Sequence, residues 1–74
     1  MTRAAFLAAY RRGLVAWAPW AQDTGKLDRF MESVAETIST TRKTWIHDGP
    51  TTINAWRAIG GKGRPTLKAL RALP

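Results

Sequence analysis

The sequence predicts a small all-α domain of three to four helices that ends in a helix-turn-helix. Three observations lead there. Apolar residues recur at helical spacings of three and four, and proline and glycine fall between those stripes rather than within them. The one place where a hairpin suggests itself, Asp48-Gly49, is followed by Pro50, which suits an edge strand only. At 74 residues the chain holds one domain, 1–74, near the size where a single core only just outweighs the entropy of folding. Trp17, Trp20, Trp45, Trp56, Phe6, Tyr10 and Phe30 supply that core, each ring burying roughly 150–250 Å².

The first helix is expected over 2–17. Thr2 is its N-cap, alanines favour it, and Phe6, Tyr10, Leu14 and Trp17 make one inward stripe. Pro19 stops it, and Trp20 sits in a short connector. Asp23 or Thr24 caps the second helix, where Leu27, Phe30, Met31, Val34 and Ile38 form the most regular pattern in the chain. The β-branched tract Thr37 to Thr44 weakens it after Thr40, and His47 to Pro50 reads as a turn. A third helix, capped by Asp48 or Thr51, runs to Ile59 with Ile53, Trp56 and Ile59 facing inward. Gly60-Gly61-Lys62-Gly63 ends it. Pro65 then opens a last helix as its first residue, with Leu67, Leu70 and Leu73 on the apolar side and Lys68 and Arg71 outward. Leu27, Phe30, Met31, Val34, Ile38, Trp56, Ile59, Leu67 and Leu70 are expected in one core.

The net charge of +7 is unevenly placed. Residues 1–22 carry three arginines and no acid, and residues 23–48 are close to neutral. Residues 49–74 hold Arg57, Lys62, Arg64, Lys68 and Arg71 without a single acid. A one-sided basic segment in a small domain is the electrostatic footprint of a polyanion. Segment 51–73 has the order of a DNA-binding helix-turn-helix. Arg64, Lys68 and Arg71 would meet the groove, while Arg57 and Lys62 stand where phosphate contacts fall and the amides opening the last helix face a phosphate.

The run Ala58-Ile59-Gly60-Gly61-Lys62-Gly63-Arg64-Pro65-Thr66-Leu67 resembles the C-terminal helix-turn-helix of the factor-for-inversion-stimulation class. That resemblance implies a DNA-binding role, with Arg64 ahead of the recognition helix and Leu67 and Leu70 packing it. The turn here is one residue longer and carries three glycines. The whole chain also resembles small proteins encoded by bacteriophages and prophages. The expected partner is therefore nucleic acid, with double-stranded DNA favoured. A homodimer is expected because one short recognition helix gives little affinity alone. The alternative is a small interaction protein that blocks or scaffolds a host or virion protein through an acidic surface on that partner.

Other chemistry finds little support. No cysteine and one histidine leave too few ligands for a structural zinc site, so neither metal nor cofactor is expected. His47 and Asp48 diverge as sequence neighbours, no serine has a nucleophile context, and Glu32 and Glu36 read as solvent charges, so the chain is not expected to be an enzyme. Gly61-Lys62-Gly63 and Thr24-Gly25-Lys26 lack the spacing of nucleotide-binding loops. With no long apolar run and no small-residue cleavage site, neither a signal peptide nor a membrane span is read, and a cytoplasmic location is expected. Trp20 and Trp45, beside breaks in the helical pattern, are available to stack on a base or anchor a partner, although capping the core is the simpler use.

Overall fold

The Thr2 hydroxyl accepts a hydrogen bond from the Ala5 amide at 3.0 Å, satisfying a donor that the first helical turn leaves unpaired. The first helix, α1, accordingly spans Arg3–Trp17. It ends at Ala18, ahead of Pro19, and Pro19–Gln22 winds into a single 3₁₀ turn. The Asp23 carboxylate accepts from the Lys26 amide and opens α2, Thr24–Ser39. Near its end the Thr37 hydroxyl donates to the Ser33 carbonyl, a back-bond that often bends a helix, and α2 stops before Thr40. The computed structural model describes residues 1–40 and 49–74, so Trp45 and the turn expected at His47 and Asp48 lie outside the described residues.

The third helix, α3, covers Pro50–Ala58, with Pro50 in its first turn and Gly49, rather than Thr51, at the cap. It closes on paired bonds, Gly60 amide to Arg57 carbonyl and Gly61 amide to Trp56 carbonyl, the Schellman arrangement. Gly60 has a φ of 100°, which explains glycine there. Gly61 answers a different need: a Cβ at that position would run into the Trp56 indole. The last helix, α4, is Leu67–Arg71, shorter than the sequence suggests. Thr66 is its cap, accepting from the Ala69 amide at 3.0 Å. Pro65 therefore stands before the helix rather than at its first position. It occupies the outer end of a hydrophobic staple whose inner end is Leu70, and both residues are buried.

Among the described residues the architecture is all-helical, with α3 docked along α1 and α4 docked on α2. Phe6, Tyr10 and Leu14 of α1 meet Leu27, Val34 and Ile38 of α2 and Leu70 of α4 in one core. Phe30, Met31, Trp56 and Ile59 pack against it half-buried. Leu67 is also half-buried, so its expected place in the core is only partly realised. Two inward expectations fail. Trp17 stands 65 % exposed, its indole nitrogen donating to the Thr51 hydroxyl at 2.9 Å. On α3 the buried residues are Thr51, Thr52 and Ala55, while Ile53 is half-buried and stands outside the core cluster. The reason is close approach. A Cβ on Gly13 of α1 would come within 3.2 Å of the Thr51 methyl, so α1 and α3 approach closely at that point.

Tyr10 sits in this interface, 2 % exposed. Burial raises its phenol above the ordinary value of 10.0, and the neighbouring Thr52 hydroxyl partly offsets that. The Thr52 oxygen itself makes no hydrogen bond of good geometry, so desolvation dominates. A raised folded-state pKa means that the neutral phenol stabilises the fold fully below about pH 10 and that this contribution is lost as pH climbs through the raised value. Thermal melts taken upward from about pH 9 should fall faster for the native protein than for Tyr10→Phe. Parallel curves would show that Tyr10 ionises without cost.

Candidate nucleic-acid interface

The described cations include a first group whose hydrogen bonds and ion pairs tie elements of the fold together and a second that is exposed at the surface. Arg3 and Arg71 belong to the first group. The Arg71 Nε donates to the Ile38 carbonyl in the last turn of α2 at 2.9 Å, and the Arg3 guanidinium donates to the Arg71 carbonyl at 2.9 Å and the Ser39 hydroxyl at 3.2 Å. The Arg3 amide also donates to the Pro74 carbonyl at 2.8 Å. Both chain ends are thus clasped against the C-terminal end of α2, where its unpaired carbonyls favour positive charge. Arg71 is half-buried there, which corrects the expectation that it points outward beside Lys68. Arg11 pairs with Asp28 at 2.7 Å with both side chains well exposed, a contact worth little in water.

Arg57, Lys62, Arg64 and Lys68 of the C-terminal segment are exposed, as are Arg12, Lys26 and Arg29. Arg57 lies in the last turn of α3, and Lys62 lies in the glycine turn, its carbonyl accepting from the Trp56 indole nitrogen at 3.2 Å. That bond ties the turn to the helix before it. Arg64 precedes the Thr66 cap, and Lys68 is the second residue of α4. The acids stand elsewhere: among the described residues Asp23, Asp28, Glu32 and Glu36 all belong to α2 or its cap, the last three in a row at spacing four. Asp48, Arg42 and Lys43 lie outside the described residues.

The recognition-helix geometry is less complete. In a helix-turn-helix the two helices support one another, whereas here α3 rests mainly on α1 and α4 on α2. Five residues make a helix of about 7.5 Å. With Leu70 in the core and Arg71 tied to α2, the outward set shrinks to Lys68, with Arg64 ahead of it.

A second surface feature was not assembled from the sequence. Between the 3₁₀ turn and α2 lies an open groove of about 480 Å³ lined by Trp20, Lys26, Arg29, Phe30 and Ser33. Trp20 is 37 % exposed and its ring lies 5.1 Å from that of Phe30, which stacks in turn on Tyr10 at 6.4 Å. The signal was present, since Lys26, Arg29, Phe30 and Ser33 fall at offsets of three, four and seven. A smaller depression of about 350 Å³ lies between the start of α1 and the end of α3, with Arg12 as the cation lining it.

No protein-family model, curated protein or solved structure matches the chain. Among the described residues no helix is long and apolar enough to cross a membrane, and no cluster of three or more His, Cys, Asp or Glu could hold a metal ion.

Proposed function

We propose that the protein is a non-enzymatic nucleic-acid-binding regulator or accessory factor that holds the phosphate backbone through Arg57, Lys62, Arg64 and Lys68. The observation that carries this reading is the segregation of charge. Those four exposed cations lie in a segment without acids, while the described acids are confined to α2 and its cap. Phosphates attract such a surface without needing a long recognition helix, because backbone contacts are made by side chains and turns as readily as by helices. Duplex DNA, with about one charge per 1.7 Å of axis, is the favoured form. The resemblance of segment 58–67 to the factor-for-inversion-stimulation class, and of the whole chain to small phage-encoded proteins, favours DNA as well.

The test is a titration of random-sequence duplex at several salt concentrations. Each phosphate contact contributes about 0.9 to the slope of log affinity against log salt. The folded quadruple variant Arg57→Ala, Lys62→Ala, Arg64→Ala, Lys68→Ala should therefore lose about 3–4 of that slope and bind weakly even at low salt. An unaltered slope in the quadruple variant would remove the basic segment from the interface and favour the protein-partner alternative.

A further inference from the structure

We propose that the groove between the 3₁₀ turn and α2 is a stacking site for one unpaired nucleobase, with Trp20 as the platform and Lys26 and Arg29 holding the flanking phosphates. This rests on the reading of the protein as a nucleic-acid binder and adds to it a preference for strands that are not fully paired. Three features of the groove carry it. First, Trp20 is more than one-third exposed although Phe30 packs against it and Tyr10 stacks on Phe30 in turn, so a large ring is held at the surface instead of being drawn into the core.

Second, the platform is fixed in place. Tyr10 is 2 % exposed and stacks on Phe30, Phe30 packs against Trp20, and Trp20 follows Pro19 in a turn closed by the Asp23 amide on the Trp20 carbonyl. A preorganised ring loses little freedom when a ligand stacks on it. Third, the lining is complementary to a nucleotide. Two aromatic rings, two exposed cations one helical turn apart and one hydroxyl face the groove, and no acid lines it. Its volume falls within the ~300–1,000 Å³ typical of sites for small organic groups. An acidic peptide would use the same cations but has no flat π-face for Trp20, whereas every base has one.

Stacking of adjacent base pairs hides the faces of bases inside a duplex, so the groove should discriminate between probes that the phosphate-binding surface treats alike. The experiment compares a blunt duplex with the same duplex carrying a short oligothymidine tail, using the full chain. The native protein should bind the tailed probe about tenfold or more tighter. Trp20→Ala should abolish that advantage and leave blunt-duplex affinity unchanged, while Trp20→Phe keeps part of it. The surface double variant Lys26→Ala, Arg29→Ala should also reduce the advantage, lowering the tail's salt slope by about 0.7 per lost contact. It serves as the test if Trp20→Ala does not fold.

Equal binding of blunt and tailed probes by the native protein overturns the stacking site and leaves the phosphate reading standing. A tail advantage that survives both variants does the same. Failure of the native protein to bind either probe at low salt overturns both readings. Trp20-dependent binding of polyglutamate without any tail advantage overturns the nucleobase in favour of an acidic protein.

Discussion

Phe6→Ala is expected to cost about 3–5 kcal/mol, close to the limit of what this fold can lose. Phe6 is fully buried, its ring 6.0 Å from Tyr10, at the head of the aromatic series that runs through Phe30 to Trp20. A chain of 74 residues has a total stability of about 4–11 kcal/mol. Thermal melting followed by near-ultraviolet circular dichroism should show a broad, strongly lowered transition or none. Trp17 belongs to the same heptad-like stripe in the sequence, yet Trp17→Ala should cost no more than about 1.5 kcal/mol, since its main tie is the hydrogen bond to Thr51. Comparable losses at the two positions would mean that Trp17 is covered in solution, for which a second copy of the chain is the first candidate.

The contrast shows where sequence reading reached and where it stopped. Caps are local chemistry, and Thr2 and Asp23 opened their helices because a hydroxyl or carboxylate three residues ahead of an amide needs no tertiary help. The α2 stripe was equally legible, because five apolar residues at regular spacing leave one face to bury. The face of α3 was not. Counting hydrophobicity favours Ile53, but the buried residues of α3 are Thr51, Thr52 and Ala55, and Thr51 is the one that approaches Gly13 of α1. Small residues carry almost no signal on a hydrophobicity scale, although they decide how closely helices approach.

The candidate interface divides along the same line. Charge segregation was visible in the linear sequence and persists in the structure, because Arg57, Lys62, Arg64 and Lys68 are exposed. Two features needed three dimensions. The cations of the groove, Lys26 and Arg29, sit in a segment whose net charge is near zero, so the composition of that segment concealed them. Arg71 occupies a wheel position beside Lys68, but the carbonyl that captures it belongs to Ile38, 33 residues earlier in the chain.

Arg71 is accordingly the position where folding and binding can be told apart. Arg71→Ala removes the donor to the Ile38 carbonyl and the positive charge at the end of α2, together with the stem of a half-buried side chain. Hydrogen bonds from charged groups are worth about 1.5–3 kcal/mol, and an orphaned carbonyl adds its own desolvation cost. A loss of about 2–3 kcal/mol is expected, which at about 4–8 °C per kcal/mol lowers the melting temperature by about 10–20 °C. Arg71→Lys should recover only part of it, since an ammonium restores charge but not the planar fork that reaches a carbonyl. For the protein that remains folded, the salt slope of duplex binding should be unchanged. Lys68→Ala, one turn away on the exposed face, should do the opposite: stability within about 0.5 kcal/mol of the native protein and a slope reduced by about 0.9. If Arg71→Ala melts like the native protein and loses slope as Lys68→Ala does, the clasp on α2 opens when nucleic acid binds, and Arg71 joins the phosphate-binding set.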